Sequence, residues 1–383
     1  MKRGEFLKKA LIVSTVSRQF TLFEKENINI LIKMGYEVHC AANYNDANDD
    51  LKELDIKKHH IDIQRSPFSF KQIKAFFQLK KLMNEQRFNL IHCHAPMGGV
   101  LGRLCAKVTN TNQVIYTAHG FHFYKGAPIV NNIIYKSIEK VMARYTDILI
   151  TMNNEDYETA KKFKLKSNGR VIKIPGVGVD TEAIKSVVVD KEKIKKEIEI
   201  PKEAFLMLSV GELIPRKNHI QVIKALSKLV NEKNRKDIYY VICGKGILLN
   251  KLKKKCIELN VGNNVKFLGY RNDVYKIMKS SDIFIFPSLQ EGLPKSVMEA
   301  MSAGMPIIAS EIRGNIDLIE NNRNGFLVDE KNSESFVEKI NQLYVDREKC
   351  VEFGNRNLDI IKNYDINEVN KIMKKVYGDI GEE

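Results

Sequence analysis

The sequence predicts an α/β protein of two doubly wound, Rossmann-like domains, each a parallel sheet covered by helices on both faces. Short apolar runs alternate with helical patterns from one end of the 383-residue chain to the other, the pattern of parallel strands joined by crossover helices. The alternation pauses once, at the Pro/Gly turn of "GRVIKIPGVGVDTE" (169–182) and the charged segment "DKEKIKKEIEIPKE" after it, the punctuation of a domain boundary. A 44% hydrophobic content is enough for each half to bury a core. The expected domains are 1–178 and 179–362 with a cleft between them, and a closing helix over 363–383 packs back on the first.

Taken in order, strands are expected at 10–16 ("ALIVSTV"), 36–42, 59–63, 90–94 ("LIHCH"), 113–119 and 147–152 in the first domain. A further strand opens the punctuated segment at 169. The second domain restarts at 205–210 and continues at 238–244, 265–269, 283–288, 305–310 and 325–329, and two helical patterns close the chain. The opening "MKRGEFLKKALIVSTVSRQF" has the charge of a signal peptide, but its apolar run is only Ala10–Val13, which fits a first buried strand better. No stretch reaches the roughly 18 uncharged apolar residues that span a bilayer. The six cysteines are scattered with neither disulfide nor zinc spacing, as in a reducing cytoplasm. A net charge of +15 implies an anionic partner or a solvated basic surface, and charge alone does not choose between them.

The stretch "QEGLPKSVMEAMSAGMPIIAS" (290–310) places Glu291 in the loop after a strand, Pro294 in the first turn of a helix, Glu299 about one and a half turns in, and Gly304 at its end. Loops at that end of a strand form the ligand crevice of an open α/β sheet. The amides of Gly292, Leu293, Lys295 and Ser296 would face an anion there, and the carboxylates would accept hydrogen bonds from hydroxyls. The stretch therefore suits a ligand bearing both phosphate and sugar. One solvated and one capping glutamate fit the spacing equally. In "SVGELIPRKNHIQ", Gly211 ends a strand and Arg216 and Lys217 precede the next helix. A planar fork beside a point charge suits a diphosphate, although an isolated pair of this kind is also ordinary surface.

The E-G-L-P-x4-E spacing, "VGELIPRKN" and "YTAHGFHFYKGAP" together resemble the family 4 retaining glycosyltransferases of the GT-B fold, in particular bacterial enzymes of capsule, exopolysaccharide or lipid-linked oligosaccharide synthesis. The resemblance covers essentially the whole chain. It implies that Glu299 holds the ribose of a nucleotide sugar, that Glu291 lies near the transferred sugar, and that Arg216 and Lys217 neutralise the diphosphate. Gly211, Gly292, Leu293, Pro294 and Lys295 would line the donor, and Tyr270 and Arg271 would contact the base. His119 would reach the donor sugar. His94 either lines the acceptor side or packs. Two departures stand out: Glu212 follows Gly211 where many members have Arg, and "STVSRQF" lacks a glycine-rich loop.

The chain has no Asp-x-Asp pair to hold a divalent ion, so the expectation is a metal-independent hexosyltransferase without cofactor. The basic cations and the helix start would stabilise the leaving phosphate. "HCH" lacks the further ligands of a zinc site. The implied partners are a nucleotide sugar, with UDP carrying a hexose or N-acetylhexosamine, and a polyprenyl diphosphate-linked acceptor. The segment 68–88, with Phe70, Ile73, Phe76, Phe77 and Leu79 among Lys71, Lys74, Lys80, Lys81 and Arg87, reads as a sheet-packing helix or as a face drawn to anionic lipid. The protein is thus expected in the cytoplasm, with a peripheral position on the inner membrane face as a further reading. A nucleotide-sugar epimerase or a phosphorylase would share the fold. A nucleic-acid-binding protein has only the net charge in its favour, and a nicotinamide dehydrogenase lacks its G-x-G-x-x-G after the first strand.

Overall fold

The computed structural model describes residues 7–45 and 54–378. The chain divides into two units: Met1–Val177 with Asn367–Glu383, and Gly178–Ile366. In unit 1, seven strands form one sheet: β1 (Lys9–Val16), β2 (Glu37–Asn43), β3 (Lys57–His60), β4 (Leu90–His94), β5 (Gln113–Ala118), β6 (Ile148–Thr151) and β7 (Arg170–Lys173), in the order β3-β2-β1-β4-β5-β6-β7. Unit 2 has six: β8 (Phe205–Val210), β9 (Ile238–Cys243), β10 (Val265–Gly269), β11 (Ile283–Phe286), β12 (Ile307–Ser310) and β13 (Gly325–Val328), in the order β10-β9-β8-β11-β12-β13. Every pairing is parallel. These are the two doubly wound sheets that the sequence predicts.

Strands covered on both faces have no polar side to show, which is why they read as unbroken apolar runs. In unit 2 the two faces feed separate cores. Met207, Ile283, Ile285 and Ile308 point into one, while Leu206, Leu208, Phe284, Phe286, Ile307 and Ala309 point into the other, as the two-residue period of a strand requires. The helix His219–Asn231 closes the first core with Val222, Ile223, Leu226, Leu229 and Val230, one stripe at helical spacing.

The strand expected at 59–63 lies at Lys57–His60 instead. Among the described residues this edge strand pairs only with β2, Lys57–His60 lying opposite His39–Ala42. Ile61, whose amide still donates to the Ala42 carbonyl (2.9 Å), and Ile63 carried the apolar signal; both lie past the strand's end and are buried in the core. The chain passes from unit 2 to unit 1 after Ile366, four residues beyond the 362/363 boundary read from the sequence. Residues 364–366 belong to unit 2 because the Ile366 amide donates to the Val179 carbonyl (2.9 Å) and the Val179 amide to the Tyr364 carbonyl (3.1 Å). The closing helix, Ile366–Gly378, buries Val369, Met373, Val376 and Tyr377. Its Tyr377 hydroxyl lies 2.7 Å from His92 Nδ1 on β4.

Candidate active site

In unit 2 the strand order reverses between β8 and β11, the switch point at which loops leaving the carboxyl ends of strands open a crevice. The loop after β8 ends in the short 3-10 turn Pro215–Lys217. It is pinned by buried Leu213, whose amide donates to the Lys245 carbonyl (2.9 Å) and whose carbonyl accepts from the Leu248 amide (3.0 Å). Gly244 stacks so closely on this loop that a Cβ there would stand 1.8 Å from the Gly211 oxygen.

The turn and the loop after β11 meet through charge. Arg216 Nη1 donates to Glu291 Oε1 at 2.8 Å and to the Gln290 carbonyl at 2.7 Å. Lys217 Nζ donates to the same Glu291 oxygen at 2.7 Å, with its stem beside Gly211 and its ammonium 4.7 Å from the Phe286 ring centroid. The Leu289 amide donates to the Arg216 carbonyl at 2.8 Å, tying the two loops by backbone as well. Two cations on one carboxylate oxygen form a positive nest into which a phosphate oxygen can exchange, since both donors bind carboxylate and phosphate alike.

The helix beside this nest runs Lys295–Ser302, and Gly304 ends it with φ +73°. Pro294 sits at the cap with extended backbone (φ −77°, ψ 115°), one position before the first turn expected for it. The first-turn amides of a helix have no carbonyl within it, so the helix presents its positive end to the loop of Glu291 and Gly292. Gly314 holds that loop from the far side: its φ is +84°, and a Cβ there would stand 2.2 Å from the Gly292 oxygen. Gly314→Ala is expected to lower stability by about 1–3 kcal/mol through backbone strain and overpacking together. Urea unfolding measures this, and a change below about 0.5 kcal/mol would contradict so tight a contact.

Glu299, half-buried in the helix, accepts a hydrogen bond from the Tyr275 hydroxyl at 3.2 Å. Burial raises its carboxyl above the usual glutamate range, with Lys295 and the Tyr275 bond pulling the other way. Arg271 is held by Asp273 in a two-pronged pair, Nε to Oδ1 at 2.8 Å and Nη2 to Oδ2 at 2.6 Å, and Tyr270 is exposed. The structure thus brings Arg216, Lys217 and Glu291 together. It engages Glu299 with Tyr275, and Arg271 with Asp273.

His94 and His119 lie in unit 1, at the ends of β4 and β5. Both face Glu24 Oε1, His94 through Nδ1 at 3.0 Å and His119 through Nε2 at 3.2 Å. Glu24 is fully buried, and Asn27 Nδ2 donates to its other oxygen at 2.7 Å. Burial would raise this carboxyl, but the facing imidazoles outweigh it and hold the group well below the ordinary range. Burial also lowers His94, against the pull of Glu24. His92, two residues before His94, bonds Thr117 and Tyr377 instead.

Sequence reasoning missed Glu24, which reads there as a helical glutamate without a motif. It missed Arg313 as well, buried in the loop after β12, whose Nε donates to the Glu291 carbonyl at 3.1 Å. Its place just past a strand's carboxyl end, next to β11, was the available signal.

With this geometry established, known proteins supply the comparison. Residues 190–358 match the family model "Glycosyl transferases group 1", and residues 9–153 match "Glycosyl transferase 4-like". The Bacillus subtilis protein EpsD, named as a glycosyltransferase, is 36% identical over 91% of this chain and 90% of its own. The Escherichia coli UDP-Gal:alpha-D-GlcNAc-diphosphoundecaprenol alpha-1,3-galactosyltransferase is 31% identical over 81% and 80%. Among solved structures, Anabaena Alr3699/HepE in complex with UDP and glucose superposes with a TM-score of 0.78 at 18% identity, covering 97% of this chain and all of that one. Two parallel-sheet units of GT-B type, matched family models in both halves and a relative alike over nine-tenths of the chain lead to one conclusion: the chain belongs to the group 1, family 4-like glycosyltransferases.

Proposed function

We propose that the protein is a retaining glycosyltransferase that moves a hexose or N-acetylhexosamine from a UDP-sugar to a saccharide carried on polyprenyl diphosphate, in surface polysaccharide assembly. The observation that carries this is the convergence of Arg216 and Lys217 on Glu291 beside a helix start. The bound UDP of Alr3699/HepE and the diphosphoundecaprenol-linked acceptor in the name of the E. coli relative support the choice of donor and acceptor.

In this reading the pyrophosphate displaces Glu291 from the two cations, which meet its charge in place of a metal. Freed, the Glu291 carboxylate accepts hydrogen bonds from the transferred sugar, and His119 bonds a further sugar hydroxyl. Gly211, Gly292, Leu293, Pro294 and Lys295 line the donor, and Tyr270 and Arg271 flank the base; His94, fully buried against Glu24, packs and is closed to an acceptor. As the bond from anomeric carbon to phosphate oxygen breaks, its electron pair passes to the phosphate, where Lys217, Arg216 and the first-turn amides stabilise it. The acceptor hydroxyl attacks from the same face and its proton goes to the leaving phosphate, so Glu291 orients and is not a nucleophile. Incubation with UDP-sugars, EDTA and a polyprenyl diphosphate-linked saccharide should yield an extended acceptor whose new linkage keeps the donor's anomeric configuration by NMR. An inverted linkage, or an altered sugar formed without acceptor as by an epimerase, would contradict it.

Glu299 takes the ribose hydroxyls, which only its ionised form accepts as a pair. Its carboxyl is raised by burial, so nucleotide affinity is present above that raised value and falls as pH drops through it. The decline should begin at a higher pH than an ordinary glutamate gives, and Glu299→Gln should flatten it. A wild-type binding profile that stays level down to the ordinary glutamate range would count against Glu299.

For localisation we propose a peripheral position on anionic membrane. No helix among the described residues is long and apolar enough to cross one. The helix Lys71–Gln86 turns Ala75, Leu79, Leu82 and Met83 to the core, yet leaves Phe70 90% exposed, with Ile73, Phe77, Lys71, Lys74 and Lys81 exposed beside it. The helix Ile129–Ala143, packed like it against Pro96–Thr109, exposes Ile129, Val130 and Ile133 with Lys136 and Lys140. Apolar side chains among lysines suit the headgroup boundary of an anionic leaflet. Flotation with phosphatidylglycerol vesicles should be strong at low salt, weaken at high salt, and drop for Phe70→Ser/Phe77→Ser. Absent or salt-independent flotation would reject it.

A further inference from the structure

We propose that Glu24, His94 and His119 form a binding site for one divalent transition-metal ion of the zinc class. The three donor atoms stand 3.0, 3.2 and 3.3 Å from one another. Ligands of a tetrahedral ion about 2.1 Å away stand roughly 3.4 Å apart, so the triangle matches one face of such a shell to within a few tenths of an ångström. Two imidazoles and a carboxylate are a zinc-binding set.

Hydrogen bonding is consistent here only if His119 Nε2 carries no proton and accepts from Gln19 Nε2, which leaves a bare imidazole nitrogen beside the carboxylate. Gln19 Nε2 also points at it, 3.4 Å from Glu24 Oε1 and 3.1 Å from His119 Nε2. Three nitrogens therefore crowd one carboxylate oxygen, and if His119 donates to Glu24, two N–H donors face each other. A Gln19 amide turned over about its last bond presents its carbonyl oxygen there instead, a fourth donor at the same spacing.

The fold places these groups on rigid elements. Glu24 ends the turn Phe20–Glu24 after β1, and His94 and His119 end β4 and β5, strands that adjoin in the order β1-β4-β5 at the switch point of this sheet. Glu24 and His94 are buried, whereas the His119 side chain is 24% exposed to a pocket lined by Phe23, Met152, Gly176 and Asn370. The open side of the triangle thus has an entry path. The expectation of no metal rested on the missing Asp-x-Asp pair and on His92 and His94 lacking further ligands; Glu24 and His119 come from distant parts of the chain.

The test is titration of the EDTA-dialysed full chain with Co2+, then with Zn2+. One equivalent of Co2+ should give visible d–d absorption that Zn2+ abolishes. Glu24→Gln and His119→Ala should each weaken binding roughly 100-fold or more, since loss even of outer-shell partners costs about 10–100-fold. His59→Ala, which alters a separate contact with His39, should leave binding unchanged. If Glu24→Gln does not fold, the partly exposed His119 carries the comparison, with the melting temperature as control. No saturable binding would show a hydrogen-bonded cluster only. Undiminished binding in both variants, or its loss in His59→Ala, would place the ion elsewhere; each of these results overturns the proposal. All of these readouts are independent of donor binding in unit 2, so a failure here and a failure of the transferase reading are distinguishable. Because His119 Nε2 cannot serve an ion and a sugar hydroxyl together, Zn2+ should also inhibit transfer.

Discussion

Lys217→Ala is expected to lower turnover roughly 100- to 1,000-fold, the usual consequence of removing one preorganised group that meets charge developing on a leaving oxygen. The effect should be large because Lys217 is set in place before substrate arrives: its side chain is only 13% exposed, its stem lies beside Gly211 and its ammonium stands over Phe286. Arg216, 41% exposed and also bonded to the Gln290 carbonyl, has more water around it and should cost less when removed. Glu291→Ala separates the roles differently. It frees both cations, so affinity for UDP should hold or rise while turnover falls. Steady-state kinetics beside direct UDP titration reads the difference, and a Lys217→Ala enzyme within threefold of wild-type turnover would remove the lysine from the chemistry.

The second large effect concerns stability and lies in the core of unit 1. Arg103 is fully buried, its guanidinium carbon 3.8 Å from the Tyr116 ring centroid and Nη2 2.9 Å from Glu139 Oε2. Its Nε donates to the Gly99 carbonyl, and the Tyr116 hydroxyl donates to the other Glu139 oxygen. Glu139→Ala leaves that positive charge buried without its partner, which costs about 3–5 kcal/mol. Replacing both residues, as in Arg103→Met/Glu139→Leu, should recover most of the loss, because a buried pair contributes little against well-packed apolar groups of similar size. Urea unfolding of the three proteins checks this. A Glu139→Ala loss below about 1 kcal/mol would mean that water reaches the guanidinium.

The fold was legible in the sequence because parallel strands buried on both faces write themselves as apolar runs, and Phe205–Val210 or Ile283–Phe286 admit little else. The edge strand Lys57–His60 was misplaced for the converse reason: its residues are largely exposed, and the apolar pair Ile61 and Ile63 belongs to the chain after it. At the candidate site, Arg216, Lys217 and Glu291 were found because each lies just past a strand end in a short motif. Glu24 was not, since nothing local distinguishes a buried glutamate in "TLFEKEN" from a solvated one; its meaning depends on His94 and His119, 70 and 95 positions further on. The Arg271–Asp273 pair and the Tyr275–Glu299 bond were invisible for the same reason, being matters of side-chain direction.

If the protein works as proposed, the positive nest of Arg216 and Lys217 accepts a pyrophosphate in place of Glu291. Isothermal titration of UDP into the full chain, with EDTA present, tests it most directly. The expected result is saturable binding at one site that weakens about tenfold or more in Lys217→Ala, consistent with a charge-assisted contact of about 1.5–3 kcal/mol, while Glu291→Ala binds at least as well as wild type. No uptake of UDP or any other nucleoside diphosphate, or equal affinity in Lys217→Ala, would contradict it.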